Sequence, residues 1–265
     1  MYSPFQLAIK YFKYWISASN AKGHGMHSPF VFEFITKILN DKTDYPEYEK
    51  VESLRRQLLN DNVILEVEDF GAGSVIDKKN KRSVSSIAKN AAKPKKFGQL
   101  LFRMVKHYQP ATILELGTSL GITTSYLSLA KPDGRLITME GSREIANASK
   151  QNFKAIELKN VELIEGNFDH TLVSVVRGLS TVDFAFIDGN HRKEPTERYF
   201  KELLTKTNND SILVFDDIHW SSEMEAAWET IKKNAAVTCS IDLFFIGIIF
   251  FRKEFKEKQH FAIRF

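Results

Sequence analysis

The sequence predicts an α/β protein built around a mostly parallel β-sheet with helices on both faces. From Thr112 onward, short apolar runs rich in β-branched residues alternate with helical stretches, as in βαβ units. The last two runs are joined by a short link and predict an antiparallel pair at the sheet edge. The predicted strands are Thr112–Leu116, Arg135–Glu140, Val161–Glu165, Val182–Ile187, Ser211–Phe215, Val237–Asp242 and Phe244–Arg252.

Bulk composition limits the class of protein. A chain of 265 residues with 43% hydrophobic content suits one α/β domain with an N-terminal extension. The net charge is only +4, and the short basic run Lys78–Arg82 is more typical of a solvated loop than of a nucleic-acid surface. We therefore expect no nucleic-acid partner. A single cysteine, Cys239, fits a reducing cytoplasmic location, and no apolar run is long enough to predict a transmembrane helix.

The N-terminal third differs in pattern from the rest. Residues 1–94 are predicted to form a mainly helical extension or lid, and residues 95–265 the α/β domain. The first helix is apolar on two faces and carries Lys10 and Lys13. This pattern is typical of a helix on a membrane surface, but it favours packing on the domain or on a second subunit, which would give a homodimer. The two faces carry Phe5, Ala8, Phe12 and Trp15 on one side and Leu7, Tyr11 and Tyr14 on the other.

A glycine-containing turn follows the first predicted strand of the domain. The segment ILELGTSLGITT places Gly117 and Gly121 between that strand and a helix, where the backbone can approach a ligand closely. The spacing is G-x-x-x-G and not the G-x-G-x-x-G of a dinucleotide site, which argues against an NAD-dependent oxidoreductase. The turn suits a ligand with an amine and a carboxylate, and Glu115 would hold the ammonium group.

An acidic residue ends the next predicted strand. Glu140 lies 23 residues beyond Gly117, where a carboxylate can accept both hydroxyls of a ribose. The alternative is an ordinary α/β turn with a solvated glutamate. A second glycine turn at Gly71–Ser74 is not followed by a helix start, so it fails this pattern. It is interpreted as a turn, and a place in a lid over the substrate stays open.

Acidic residues also end two later strands. Asp188 follows one strand, and Asp216 and Asp217 follow the next, so all three carboxylates are expected at one edge of the sheet. Such a cluster needs a neutralising cation, and oxygen ligands suit Mg²⁺ or Ca²⁺. His191 is a candidate general base. Asp217 could instead cap a helix, and His219 is interpreted as a structural, hydrogen-bonded histidine.

Six segments in order, KKFGQ, ILELGTSLG, LITMEGS, GNFDHTL, FIDGNH and VFDD, carry a family resemblance over about residues 95–252. They resemble class I S-adenosyl-L-methionine-dependent methyltransferases, and most of all the catechol and caffeoyl-CoA O-methyltransferase group. The resemblance implies a Rossmann-like, seven-stranded sheet with an antiparallel last strand. It does not extend to the N-terminal ninety residues.

The resemblance also implies site residues. Those expected to bind the cofactor are Gly117, Ser119 and Thr123 at the methionine part, Glu140 at the ribose, Asn167, Phe168 and Asp169 at the adenine, and Asp188 near the sulfonium. Asp188, Asp216 and Asp217 match the family's metal ligands. There are two departures: Asp217 stands where the family usually has Asn, and His191 stands where it has a catalytic Lys.

The sequence therefore predicts methyl transfer to a small-molecule acceptor, in the first place a hydroxyl, with or without a metal. A metal-independent N-methyltransferase and an aminopropyltransferase that uses decarboxylated S-adenosylmethionine remain open. A third class, a protein that binds the cofactor without turnover, is disfavoured by His191 beside Asp188.

Overall fold

The computed structural model describes residues 1–23, 25–68 and 81–265. The predicted turn at Gly71–Ser74, and part of the basic run Lys78–Arg82, lie outside these residues. Contacts between Cα atoms divide the chain into two compact units. We call residues 41–171 the glycine-loop unit, and residues 1–40 with 172–265 the acidic-cluster unit. This division differs from the predicted boundary at residue 94, and that boundary remains a prediction.

Helices account for most of the N-terminal hundred residues, as the apolar periodicity predicts. A π-helical segment, Phe34–Leu39, continues the second helix. The α-helices are α1 (Pro4–Ser17), α2 (Pro29–Glu33), α3 (Pro46–Leu59), α4 (Val84–Asn90), α5 (Lys95–Tyr108), α6 (Ile122–Ala130), α7 (Arg143–Ala155), α8 (Phe168–Arg177), α9 (Lys193–Leu204) and α10 (Ser222–Lys233).

The strands fall close to the predicted apolar runs. β1 and β2 form a separate antiparallel pair, and the other strands belong to the main sheet. The strands are β1 (Ile64–Glu66), β2 (Lys81–Ser83), β3 (Thr112–Leu116), β4 (Arg135–Glu140), β5 (Val161–Glu165), β6 (Phe184–Ile187), β7 (Ile212–Asp216), β8 (Cys239–Asp242), β9 (Ile246–Phe250) and β10 (Gln259–Ala262).

In the glycine-loop unit, β3, β4 and β5 are neighbours in that order and run parallel. β3 and β4 are almost fully buried, which explains their continuous apolar sequences. Gly98 of α5 lies against the ring of Tyr126 in α6, so the two helices approach closely. The hydroxyl of Tyr126 in turn donates to Glu52 of α3 at 2.7 Å. The N-terminal helix α3 is therefore part of the packing around the glycine loop.

In the acidic-cluster unit, the strand order is β10-β8-β9-β7-β6. β6 and β7 are parallel, and β9 runs antiparallel to both β7 and β8. β10 adds to β8 in parallel, outside the pair that was predicted to form the edge. Within the described residues the main sheet has eight strands. The α/β prediction is confirmed, but the count of seven strands was wrong because β10 was missed.

Helix α1 is part of the acidic-cluster unit. Ser3 caps it: its hydroxyl accepts from Gln6 N–H, the Gln6 side chain accepts from Ser3 N–H, and Pro4 occupies the first turn. Tyr14 and Ala18 pack with Phe244, and the Tyr14 hydroxyl donates to the carbonyl of Ile263. One face of α1 thus packs on its own unit, as the sequence favoured.

Candidate active site

The backbone of the loop after β3 adopts conformations that explain its glycines. Gly117 has φ of +102° and Gly121 has φ of +82°, both in the region that side chains rarely adopt. A Cβ at Gly121 would also collide with the ring of Phe153. Ser119 has φ of +48°, so the loop is tightly wound before α6 begins. α6 begins directly after this loop, and the N-terminus of a helix can bind an anionic ligand group.

Neighbouring elements hold this loop in place. The N–H groups of Gly117 and Thr118 both donate to the carbonyl of Met139 in β4, at 3.0 and 3.1 Å. Asn152 of α7 donates its side-chain amide to the carbonyl of Leu120 at 2.9 Å. The loop is thus fixed from two sides before any ligand binds, which reduces the entropy that binding must overcome.

Glu140, at the end of β4, joins three loops. Its side chain accepts hydrogen bonds from the N–H of Ser119 at 2.9 Å and from the N–H of Ser142 at 2.9 Å. Its carbonyl accepts from the N–H of Gly166, which follows β5, at 2.8 Å. The predicted ribose acid therefore lies between the glycine loop and the predicted adenine loop.

Glu115 points into the protein. It is fully buried, and its Oε2 accepts from the hydroxyls of Thr124 at 2.5 Å and Thr138 at 2.6 Å. Thr118 and Thr138 hydroxyls are also within 2.6 Å of each other. These contacts favour a role in fixing the base of the loop, and a contact between Glu115 and an ammonium group remains a prediction.

The predicted adenine segment begins α8. The side chain of Asn167 accepts from the N–H of Asp169 at 2.9 Å, and its carbonyl accepts from His170 and Thr171 at 3.0 and 3.1 Å. Asn167 therefore starts the helix, whatever else it contacts. Asn167, Phe168 and Asp169 are all partly exposed. Thr123, predicted at the methionine part, is almost buried, with 8% of its surface exposed.

The acidic-cluster unit brings two of the predicted acids together with the predicted base. Asp188, His191 and buried Asp216 each offer an atom that could bind a metal, and these atoms lie within 4.8 Å of one another. Nε2 of His191 is 3.4 Å from Oδ1 of Asp188. Asn190 and His191 have φ of +66° and +26°, and such backbone strain is often retained at functional sites.

Asp217 is not a member of this group among the described residues. Its backbone is left-handed, with φ of +52°, and its N–H donates to the carbonyl of Phe245 at 2.7 Å. Ser221 caps α10, since its hydroxyl accepts from the N–H of Met224 at 3.2 Å. The structure thus groups the metal-compatible atoms as two carboxylates and an imidazole, and a metal contact by Asp217 remains a prediction.

His219 lies in a hydrogen-bonded network and matches the structural role expected for it. Nδ1 is 3.0 Å from Glu225, and Nε2 is 2.8 Å from Asp242. Burial lowers the pKa of His219, but hydrogen bonds and charge from Asp242 and Glu225 outweigh burial and raise the pKa overall. Glu225 also accepts from Tyr2 at 2.7 Å and from Lys10 at 3.0 Å. No sequence pattern signalled the contacts of Glu225 with Tyr2 and Lys10, because both residues lie more than 200 positions away along the chain.

Comparison with known proteins bears on the class of this chain. Residues 114–218 match the family described as "Methyltransferase domain". A catechol O-methyltransferase of Niastella koreensis is 32% identical over 126 residues, which are 46% of this chain and 55% of that protein. A tRNA (guanine-N(7)-)-methyltransferase of Mycoplasma mobile is 31% identical over 77 residues, 29% of this chain and 38% of that protein. The chain thus spans about half, or less, of the length of these curated relatives.

Solved structures share the fold. The S-adenosylhomocysteine-bound methyltransferase PaMTH1 of Podospora anserina superposes with a TM-score of 0.59 at 15% identity, over 85% of this chain and 97% of that one. Residues 114–218 thus resemble a methyltransferase domain, and the chain shares the Rossmann-like fold of this solved methyltransferase. The resemblance to this class, stated above on sequence segments alone, is confirmed.

Proposed function

We propose that this protein transfers the methyl group of S-adenosyl-L-methionine to a hydroxyl of a small-molecule acceptor. The observation that carries the proposal is Glu140. Its carboxylate is held by the glycine loop through Ser119, and its carbonyl by the segment before Asn167 through Gly166. A carboxylate so placed at the end of the second parallel strand suits a ribose with two free hydroxyls.

With the ribose at Glu140, the other parts of the cofactor can be assigned to neighbouring residues. The methionine carboxylate would lie at the N–H groups that begin α6, beside the hydroxyls of Ser119 and Thr123. Gly117 and Gly121 leave room for this part of the ligand. Phe168 would pack on the adenine ring, with Asn167 and Asp169 beside it.

Two residues of the acidic-cluster unit would serve the acceptor. Bound S-adenosylmethionine supplies an activated methyl group, so the protein's task is alignment and charge stabilisation. His191 takes the proton that the acceptor hydroxyl loses. Since Nε2 of His191 faces Asp188 at 3.4 Å, Nδ1 is the nitrogen that accepts this proton. Asp188 fixes the ring and stabilises its charged form.

A divalent cation fits the same group of side chains. Asp188 and Asp216 provide carboxylate oxygens, and His191 provides a nitrogen within the same 4.8 Å cluster. When bound, such an ion would lower the pKa of an acceptor hydroxyl. Mg²⁺ and Ca²⁺ were expected for oxygen ligands alone, and the imidazole extends the proposal to Mn²⁺ and similar ions. When one nitrogen of neutral His191 binds a metal, the other nitrogen carries the ring proton and cannot accept a second one, so the roles of metal ligand and base compete.

Calorimetric titration with S-adenosylhomocysteine tests the cofactor site. We expect wild-type protein to bind and Glu140→Ala to bind at least about tenfold more weakly, because hydrogen bonds to a charged group are worth about 1.5–3 kcal/mol. Glu162→Ala is the matched control, since this exposed acid pairs with Arg135 on the surface of the same unit. No binding to folded wild-type protein would refute the proposal.

A nitrogen acceptor is a second candidate because of the likeness to a guanine-N7 methyltransferase. A ring nitrogen with a lone pair has no proton to lose, so no base is needed. His191→Ala should then abolish transfer to hydroxyl acceptors but leave transfer to such nitrogens almost unchanged. Turnover is measured as S-adenosylhomocysteine formed, with and without EDTA. Loss of turnover with EDTA, restored by Mn²⁺ or Mg²⁺, would support a bound divalent cation.

A cytoplasmic location and a homodimer remain predictions.

A further inference from the structure

Helix α1 presents a second apolar face to solvent. Six of the ten large hydrophobic residues that are exposed in the described part of the chain belong to the first 16 residues. Phe5 is 75% exposed, and Phe12 and Ile16 are each 63% exposed. We call Phe5, Ile9, Phe12, Trp15 and Ile16 the outer face of α1. Their spacing of three and four residues places them along one side of the helix.

The helix cannot rotate to bury this face. Its opposite side is held by Tyr14, which packs on Phe244 and donates to Ile263, and by Lys10, whose Nζ is 3.0 Å from both oxygens of Glu225. Turning the outer face inward would break all of these contacts. The exposure of the outer face is therefore fixed by the fold, and an apolar surface of this kind marks an interaction site.

Positive charge flanks the outer face. The first 32 residues contain no Asp or Glu, whereas Lys13 follows Phe12 on the helix. From the other side, the guanidinium of Arg264 lies 5.3 Å from the ring of Trp15 and 3.4 Å from the carbonyl of Ile16. An apolar, aromatic strip between cations complements a surface whose interior is apolar and whose rim is anionic. Anionic phospholipid bilayers have this arrangement.

A second copy of the chain fits the outer face less well. A 14-residue helix is about 21 Å long, so one face covers a few hundred Å², below the roughly 800 Å² per partner of a standard interface. Two copies would also bring Lys13 and Arg264 of each chain together, with no acidic residue on α1 to pair with them. Like charges in such a contact are unfavourable.

We propose that the outer face of α1 inserts into the headgroup region of an anionic phospholipid surface, with the helix axis parallel to that surface. Among the described residues, no helix has both the length and the apolar content needed to cross a bilayer. The interaction is peripheral: Phe5, Phe12 and Ile16 enter the interface, and Lys13 and Arg264 contact lipid phosphates. This inference is independent of the proposed catalytic function.

Cosedimentation of the full chain with lipid vesicles tests it. We expect binding to phosphatidylcholine vesicles that contain about one third phosphatidylglycerol, and at least about tenfold weaker binding to pure phosphatidylcholine or at high salt. Phe12→Ser with Ile16→Ser should reduce binding at least about tenfold. Val63→Ser with Ile64→Ser, which removes two equally exposed residues of the other unit, should leave binding unchanged.

A second measurement guards against unfolded variants. Trp15 emission should shift to the blue on binding, and the shift should be absent in Trp15→Phe, while near-ultraviolet circular dichroism of each variant stays native. The proposal is wrong if the wild type does not bind anionic vesicles, if it binds neutral vesicles equally, or if the Phe12→Ser, Ile16→Ser variant binds as well. It is also wrong if light scattering shows a dimer that this variant converts to monomers, since the occupant is then a second copy.

Discussion

Gly121 is required both by its backbone conformation and by the packing around it. Its φ of +82° lies in the left-handed region, and the ring of Phe153 occupies the space a side chain would need. The residue precedes α6, where the cofactor's carboxylate is proposed to bind. Backbone conformation, packing and ligand binding therefore all depend on the absence of a Cβ at this position.

Gly121→Ala is expected to lower the free energy of unfolding by about 2 kcal/mol or more, since the left-handed conformation alone costs about 1–2 kcal/mol. Binding of S-adenosylhomocysteine should weaken at least about tenfold. Urea unfolding and calorimetry measure the two effects. Gly178→Ala is the control, because a Cβ there meets only ordinary contacts. Equal losses in both variants would contradict this explanation.

Cys239, the single cysteine, is buried in β8. Burial raises the pKa of its thiol from 9.0 to about 12, so almost no thiolate exists near neutral pH. We expect no reaction of the native protein with a thiol reagent at pH 8, and one reactive thiol per chain after unfolding in urea. Rapid labelling of the native protein would show that β8 opens readily.

At the scale of elements, α1 depends on Glu225 of α10. Burial alone would raise the pKa of Glu225, but hydrogen bonds from Tyr2, His219 and Lys10 lower it overall. The carboxylate is thus stabilised in its charged form. Its contribution to stability is present above the pKa of the unfolded chain and is lost as the pH falls through the lowered pKa. Acid should therefore loosen the docking of α1.

Glu225→Ala tests this link at neutral pH. It removes the partners of Tyr2, Lys10 and one His219 nitrogen together, so backbone amides of α1 should exchange with solvent about tenfold faster or more. Hydrogen exchange read by mass spectrometry measures the rate. Glu229→Ala is the matched control, since this acid of the same helix is more exposed than Glu225 and forms an ion pair with Lys232. Unchanged exchange in α1 would show that the aromatic contacts suffice.

Strands were predictable where burial determines the sequence. β3 and β4 have the predicted bounds, and β7 and β9 fall within two residues of theirs, because buried strands have continuous apolar sequences. β5 also has its predicted bounds, although it is partly exposed. β10 was missed because Gln259 and His260 are polar and the strand forms only by pairing with β8. No sequence pattern signalled the π-helical segment, because apolar residues do not distinguish i→i+5 from i→i+4 hydrogen bonding.

The site residues divide in a similar way. Gly117, Gly121 and Glu140 carry a local signature of strand, turn and acid, so the sequence indicated them. The hydrogen bonds that join Glu140 to Ser119 and Gly166 were not predictable in detail, although each partner lies in a segment that had been singled out. The grouping of His191 with Asp188 and Asp216 depends on the left-handed turn at Asn190, which residue types alone do not specify.

At the scale of the whole molecule, the two compact units do not follow chain order. Residues 1–40 belong with residues 172–265, and all predicted cofactor contacts except Asp188 lie in the glycine-loop unit. The change from helical stretches to alternating strands and helices predicts a boundary near residue 94, and this boundary remains a prediction. The two units reflect long-range packing, which a pattern along the chain does not record.

Ligand binding should therefore protect the glycine-loop unit more than the acidic-cluster unit. At a concentration one hundred times its dissociation constant, S-adenosylhomocysteine stabilises by about 2.7 kcal/mol, or about 5–11 °C in a chain of this size. We expect this shift in calorimetry, with hydrogen-exchange protection strongest in residues 117–121, 140–142 and 166–169. Protection confined to residues outside 41–171 would place the ligand elsewhere and contradict the proposed site.

The docking of α1 has a consequence for how the chain is made. Tyr2 and Tyr14 have their partners at Glu225 and Ile263, so the helix cannot dock until residue 263 has left the ribosome. At roughly 5–20 residues per second, α1 waits about 10–50 s with both apolar faces uncovered. During synthesis this segment is thus a binding site for chaperones, and for any membrane near the ribosome, before the protein has finished folding.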